Sequence, residues 1–287
     1  MKASPLSSLL IVAGSLLLAA NLTAQPAPPA VEFPAASPAC TLKQRVGLTD
    51  IEVVYSRPGI KNREIFGGLV PYGQVWRTGA NAATKITFST PVKLNDHEVA
   101  AGTYALFTIP DQDAWTIIIN KDASQWGAYK YDEKNDVVRF KVPAAQLSEQ
   151  IETFMIEFDH VRDDSAVMYL LWDQVAVQIK IEVDVASKLV PQIEAVMASD
   201  AKDKPYYPAA LFYYDHGLDL RKASQWVDAA ITNREAHYVV YLKAEILAKL
   251  GDKEGAIAAA KHSSELAVKA NDPGYVKLND ALISSLK

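Results

Sequence analysis

A single cysteine, Cys40, stands in the 287-residue chain, so no disulfide can form within it and the fold must rest on a hydrophobic core. The chain also lacks a charge excess: 29 basic residues face 34 acidic ones, for a formal net charge of −5. That balance excludes the basic field that recruits nucleic acid. Its longest apolar run, Leu9–Ala20, is shorter than the roughly 20 residues a membrane-crossing helix needs. The five histidines, His97, His160, His216, His237 and His262, form no HExxH or paired His/Cys spacing, so no metal is expected. There is no GxSxG elbow, and Gly67-Gly68 is not followed by GK[ST]. No cofactor is expected either.

What is present begins with a targeting signal. Lys2, the apolar run and the small pair Thr23-Ala24 read as a secretory signal peptide over residues 1–24, cleaved after Ala24. The expectation is a periplasmic or secreted protein with no membrane span after cleavage. Residues 25–39, rich in Pro and Ala with Glu32 as their one charge, read as an extended linker.

From residue 40 to 185 the apolar period is two. Val175, Val177, Ile179, Ile181 and Val183 alternate with polar or small neighbours, and Ile51, Val53 and Tyr55 with Glu52, Val54 and Ser56; Trp115, Ile117 and Ile119 share one face. Further strands are expected at 41–46, 84–90, 103–109, 136–142, 151–159 and 165–172. Turn signals fall at Asn95-Asp96, Ala101-Gly102, Pro110-Asp111 and Asp163-Asp164. About nine strands with no crossover helix indicate an antiparallel β-sandwich, with a jelly roll as the alternative topology.

From 186 to 287 the period becomes helical, with a short helix over Leu189–Met197, a break over Lys202–Pro208 and helices from Ala209 onward. Ala223, Val227 and Ala230 recur 33 residues later as Ala256, Ala260 and Ser263, the small-residue spacing that lets stacked helix pairs approach. Together with Ala244, Leu247 and Gly251 this resembles a tetratricopeptide repeat; a plain helical hairpin capping the sandwich is the other reading. Tyr206, Tyr207, Tyr213, Tyr214, Trp226, Tyr238 and Tyr241 are expected to divide between the inter-helix core and a junction with the sandwich. The tail is one possible surface for a protein partner.

Chemistry is concentrated between Tyr55 and Thr84. Residues 40–90 hold seven basic residues against three acidic ones, whereas 91–185 hold eight against seventeen. The stretch carries Arg57, Lys61, Arg63, Trp76, Arg77 and Asn81, with Tyr72 beside them. Arginine forks grip carboxylate or phosphate, and Trp or Tyr stacks on a sugar or a base. These six residues are the candidate site for a small polar or anionic ligand, or a glycan. The competing reading is that the arginines tie the loop's own carbonyls together. A glycosidase-like hydrolase of envelope polymers would need two converging carboxylates, with Glu64 the first suspect. The reading favoured here is a non-catalytic binding module. Asp164-Ser165-Ala166 matches a three-residue acceptor of bacterial O-glycosylation, a match short enough to arise by chance.

The strings YSRP, IFGGLVPYG, VWRTGANAAT, AGTYALFTIP and QWGAY resemble the hallmarks of an exported bacterial family catalogued as domain of unknown function 2911. The resemblance spans roughly residues 38–185, and the helical tail is similar to an extension some members carry. It implies a sandwich domain and export, and it carries over no catalytic residue.

Overall fold

The protein is described here by a computed structural model covering residues 32–287. The expected signal peptide and the first part of the expected linker lie outside the described residues. Ala36–Lys287 forms one compact unit.

Among the described residues nine strands precede six α-helices: β1 (Ala39–Val46), β2 (Thr49–Ser56), β3 (Thr84–Phe88), β4 (Val92–Leu94), β5 (His97–Val99), β6 (Gly102–Ile109), β7 (Ala114–Asn120), β8 (Asp136–Asp159) and β9 (Ser165–Val183). Every pairing is antiparallel, in the order β1-β2-β3-β6-β7-β8-β9-β4-β5. The long strand β8 makes the corner. Asp136–Pro143 pairs with β7, and Ala144–Asp159 pairs with β9. The sheet thereby folds over one sandwich-like core to which all nine strands contribute, from Val46 and Ile51 to Val99, Trp115, Phe154 and Ile181. The chain just past β2 adds to the same wall. The Phe154 amide donates to the Pro58 carbonyl (2.9 Å) and the Ile60 amide to the Glu152 carbonyl (2.8 Å).

The strands differ from the sequence expectation in two ways: β4 and β5 lie where no strand was expected, and two expected pairs are continuous. The segments expected at 136–142 and 151–159 are one strand, as are those at 165–172 and 175–183. The apolar period breaks in each because the ladder shifts register between Gln146 and Met155 and because Asp173 takes a positive φ of 54°; a bulge interrupts alternation without ending a strand. The expected turn at Asn95-Asp96 has both residues left-handed at φ 44° and 68°, the geometry of a two-residue hairpin. His97 opens β5 and stacks on Phe140, with ring centres 5.0 Å apart.

The helices are α1 (Ala186–Ala198), α2 (Tyr206–Asp215), α3 (Leu220–Asn233), α4 (His237–Leu250), α5 (Lys253–Lys269) and α6 (Pro273–Ser285). Asp219, Asp252 and Asp272 cap α3, α5 and α6 by accepting first-turn amides. The expected break over Lys202–Pro208 ends early, since Tyr206–Pro208 form the first turn of α2. All six residues of the 33-residue spacing are buried, Ala223, Val227 and Ala230 on α3 and Ala256, Ala260 and Ser263 on α5.

The helices rest on the sandwich. Val185 belongs to the sandwich core, Leu189 and Phe212 pack against it, and His216 Nε2 meets Asp163 Oδ2 at 2.8 Å. None of the seven tail aromatics is exposed. They do not divide as expected: six lie in the inter-helix cluster and Tyr241 packs edge-on to Tyr275. The junction is left to Leu189, Phe212 and His216.

Candidate functional site

The stretch between β2 and β3 is held by its own polar groups. Trp76 exchanges backbone bonds with Thr108 (2.7 and 3.0 Å), which drives its indole inward. The ring is only 8% exposed, packs among Phe66, Trp115, Phe154 and Trp172, and donates Nε1–H to the Gly79 carbonyl (3.1 Å). Trp76 is therefore a core residue and offers no open face to a ligand, a correction to its place in the candidate site. An aromatic in a loop sequence gives no sign of whether the loop folds inward.

The basic residues around it reach backbone. Arg57 Nε donates to the Phe154 carbonyl (3.1 Å), and Arg63 donates from Nε to the Ile60 carbonyl (3.0 Å) and from Nη2 to the Gly59 carbonyl (2.6 Å). Three consecutive carbonyls of the segment before β1 are also gripped. Lys61 Nζ donates to Ala36 (3.0 Å), Asn81 Nδ2 to Ser37 (3.2 Å), and the Arg57 amide to Pro38 (2.9 Å). Residues 36–38, expected as part of a linker, are thus fastened to the sandwich. Asn81 Nδ2 also donates to Ser56 Oγ (3.2 Å). Among the described residues, the ion pairs of lysine and arginine include none of Arg57, Lys61, Arg63 or Arg77. The cluster keeps its positive charge while spending donors on backbone.

Arg77 is placed differently from the rest. Its Nη1 donates to the Asn81 carbonyl (3.0 Å), and its guanidinium lies 5.8 Å from the centre of the Tyr129 ring. Tyr129 is 81% exposed and Trp126, three residues earlier, 66%. Their loop is pinned to the stretch around Arg77. The Ala83 amide donates to the Gln125 carbonyl and the Gly127 amide to the Asn81 carbonyl, both at 3.0 Å. Gly127 has φ +69°, and a Cβ there would come 2.7 Å from the Tyr129 ring and 3.3 Å from Arg77 Nη1. Only glycine lets ring and guanidinium approach this closely. At the front of the loop, Asp122 accepts from the Ser124 hydroxyl (2.7 Å) and amide (3.1 Å), which holds its carboxyl below the usual range. At the back, the Tyr131 hydroxyl donates to Asp136 Oδ2 (2.6 Å), and burial pushes that phenol up.

Trp126 and Tyr129 were not in the candidate site read from sequence. Their signal was there, two aromatics flanking a glycine in a segment with neither a helical nor a strand period. Sequence alone does not separate such a pair from core aromatics like Trp76.

Glu64 is exposed. Among the described residues no three His, Cys, Asp or Glu side chains gather as a metal site would require. His216 and His237 each face one carboxylate, of Asp163 and Asp272, and His262 lies between those of Glu235 and Glu265. Ser165 opens β9, its hydroxyl turned to Asp164. A cleft of about 540 Å³ lies between α3 and α5, and another of about 900 Å³ at the β4–β5 hairpin; neither includes a residue of the 55–84 stretch. No helix among the described residues is long and apolar enough to cross a membrane.

The architecture is that of an antiparallel β domain followed by helical hairpins, with an aromatic–arginine surface on the β part. Residues 37–181 match the family model described as "Protein of unknown function (DUF2911)", and the chain belongs to that family. No curated protein and no solved structure matches it.

Proposed function

We propose that the protein is an exported, non-catalytic binding module of the cell envelope whose β domain takes an acidic glycan on Arg77, Trp126 and Tyr129. The observation that carries this reading is the exposure of Trp126 and Tyr129, 66% and 81%, on a loop fastened at several points. Large aromatic faces left in water on a rigid support are characteristic of recognition surfaces. The C–H face of a pyranose stacks on such rings, and the guanidinium donors that Arg77 does not spend on Asn81 suit a sugar carboxylate. The loops of a rigid scaffold are where such residues belong. Asn81 supports the site by accepting from both Arg77 and the Gly127 amide, while Arg57, Lys61 and Arg63 fasten other backbone of the same domain and add positive charge to it.

The test is a titration of the mature protein with oligogalacturonate, followed by tryptophan fluorescence, with a neutral cello-oligosaccharide as control. Binding of the acidic sugar is expected. Trp126→Ala, Tyr129→Ala and Arg77→Ala should each cost about 2 kcal/mol or more, the loss of a central anchor. Equal binding of the neutral sugar, or unchanged binding by all three variants, would overturn the reading. Export is tested separately: the N-terminus of protein purified from the cell envelope should be Gln25, and finding Met1 there would sink it.

A further inference from the structure

Helices α2, α4 and α6 share a face rich in tyrosine. Tyr207 and Tyr214 come from α2, Tyr238 and Tyr241 from α4, and Tyr275 from the first turn of α6. The rings meet edge to face across the helices, Tyr207 with Tyr238 at 5.1 Å and Tyr241 with Tyr275 at 5.5 Å between centres. All five residues are half-buried. Glu245, one turn beyond Tyr241, is half-buried among them. Burial raises its carboxyl above the ordinary range, against the opposing pull of hydrogen bonding with Tyr241 and Tyr214.

Among the described residues Glu245 has no cation within ion-pair distance, and Lys249 lowers its carboxyl only as a more distant charge. Lys249, four residues on, is the side chain that would ordinarily pair with it along the helix. Its ammonium lies instead 3.6 Å from the centre of the Tyr214 ring and reaches the Tyr214 carbonyl at 3.4 Å. This face therefore already holds one cation over a tyrosine, beside a carboxylate with no ion-pair partner. Asp215, whose carboxyl is raised by burial and by the nearby charge of Asp163, adds to the negative side, with His216 and Lys249 as its nearby cations.

A half-buried carboxylate with no ion-pair partner is costly, and the faces of tyrosine rings attract ammonium and guanidinium groups. We propose that this face is a docking site for an arginine or lysine side chain carried on a segment of a partner protein, with Glu245 as its counter-ion and the tyrosine rings as its walls. The bound cation would neutralise Glu245 and compete with Lys249 for Tyr214. This surface is independent of the glycan reading, because it lies on the helices and uses none of the same residues.

The experiment is calorimetric titration of the full mature chain with a hexa-arginine peptide, and with hexaglutamate as control. Hexa-arginine should bind and hexaglutamate should not. Glu245→Gln should weaken hexa-arginine at least tenfold while remaining folded by thermal melting. Glu157→Gln, which removes the same charge from an exposed site on β8, should leave the affinity within twofold. Lys249→Met should strengthen binding several-fold, since it removes the internal competitor; a merely structural role for this face would not produce a gain. The proposal fails if hexa-arginine does not bind, if hexaglutamate binds as tightly, or if Glu245→Gln binds like the parent. It fails equally if Glu157→Gln weakens binding as much as Glu245→Gln, which would mark a diffuse charge effect.

Discussion

The indole of Trp76 lies almost parallel to that of Trp172, with 17° between the planes and 5.7 Å between ring centres. One ring comes from the irregular stretch after β2 and the other from β9, so the contact fastens the most loop-like part of the β domain to one of its longest strands. Replacing Trp76 by alanine should cost ~3–5 kcal/mol, the range for a large aromatic removed from a packed core. Urea denaturation followed by circular dichroism measures it. A loss under 1 kcal/mol would mean that the stretch does not depend on its buried ring.

The carbonyls of residues 36–38 are held by Lys61, Asn81 and the Arg57 amide. Asn81→Ala removes one side-chain grip and the link to Ser56. A loss of about 1 kcal/mol is expected for one net hydrogen bond of this kind, together with faster proteolysis ahead of β1. Mass spectrometry of limited digests shows where the cut falls.

Asn279, fully buried on α6, donates to Ser263 Oγ (2.9 Å), which in turn donates to the His237 carbonyl (2.8 Å). This chain of bonds ties α6 to α5 and α4 through the last residue of the small-residue spacing. Asn279→Ala should destabilise by about 1–3 kcal/mol, because it strands buried polar groups. Hydrogen exchange should speed up first in α6. Uniform acceleration across all helices would argue against a local latch.

Glu245 links stability to pH. Its carboxyl is raised in the folded state by burial, so the folded chain holds the proton to higher pH than the unfolded chain does. Its contribution is therefore least unfavourable below the ordinary carboxyl value. Stability then falls as pH rises from the ordinary carboxyl value through the folded one, and the penalty is complete above it. Glu245→Gln should raise the melting temperature at pH 7 and show a shallower decline between pH 4.5 and 7 than the parent. An identical pH profile for the two proteins would show that Glu245 is solvated. Stability gained by removing a charge, with binding of a basic peptide lost, is the exchange expected of a functional residue.

Much of the fold was legible because alternation survives wherever one face of a strand is wet. Thr49, Ile51, Val53 and Tyr55 are buried while the residues between them are more exposed. The helical spacing of Ala223, Val227 and Ala230 was equally readable, and those residues do face inward. The continuity of β8 and β9 was not readable, since a bulge breaks the period that reveals a strand. The candidate site was legible as a place more than as a set of side chains. Arg77 and Asn81 lie beside the exposed aromatic pair, and Trp76 does not.

Composition and periodicity by themselves determined a β domain followed by helices, a core without disulfides, and the stretch in which polar and aromatic residues are unusually dense. These are properties of local alternation and residue type, which every short window of the chain carries. Only the tertiary structure decided which of those residues meet solvent. Trp76 and Trp126 occupy similar glycine-containing, irregular sequence, yet one is 8% exposed and the other 66%. The difference lies in their backbone partners, Thr108 on a central strand for Trp76 and Ala82 in a surface loop for Trp126. Contacts between residues distant in the chain set it, and no local pattern encodes them.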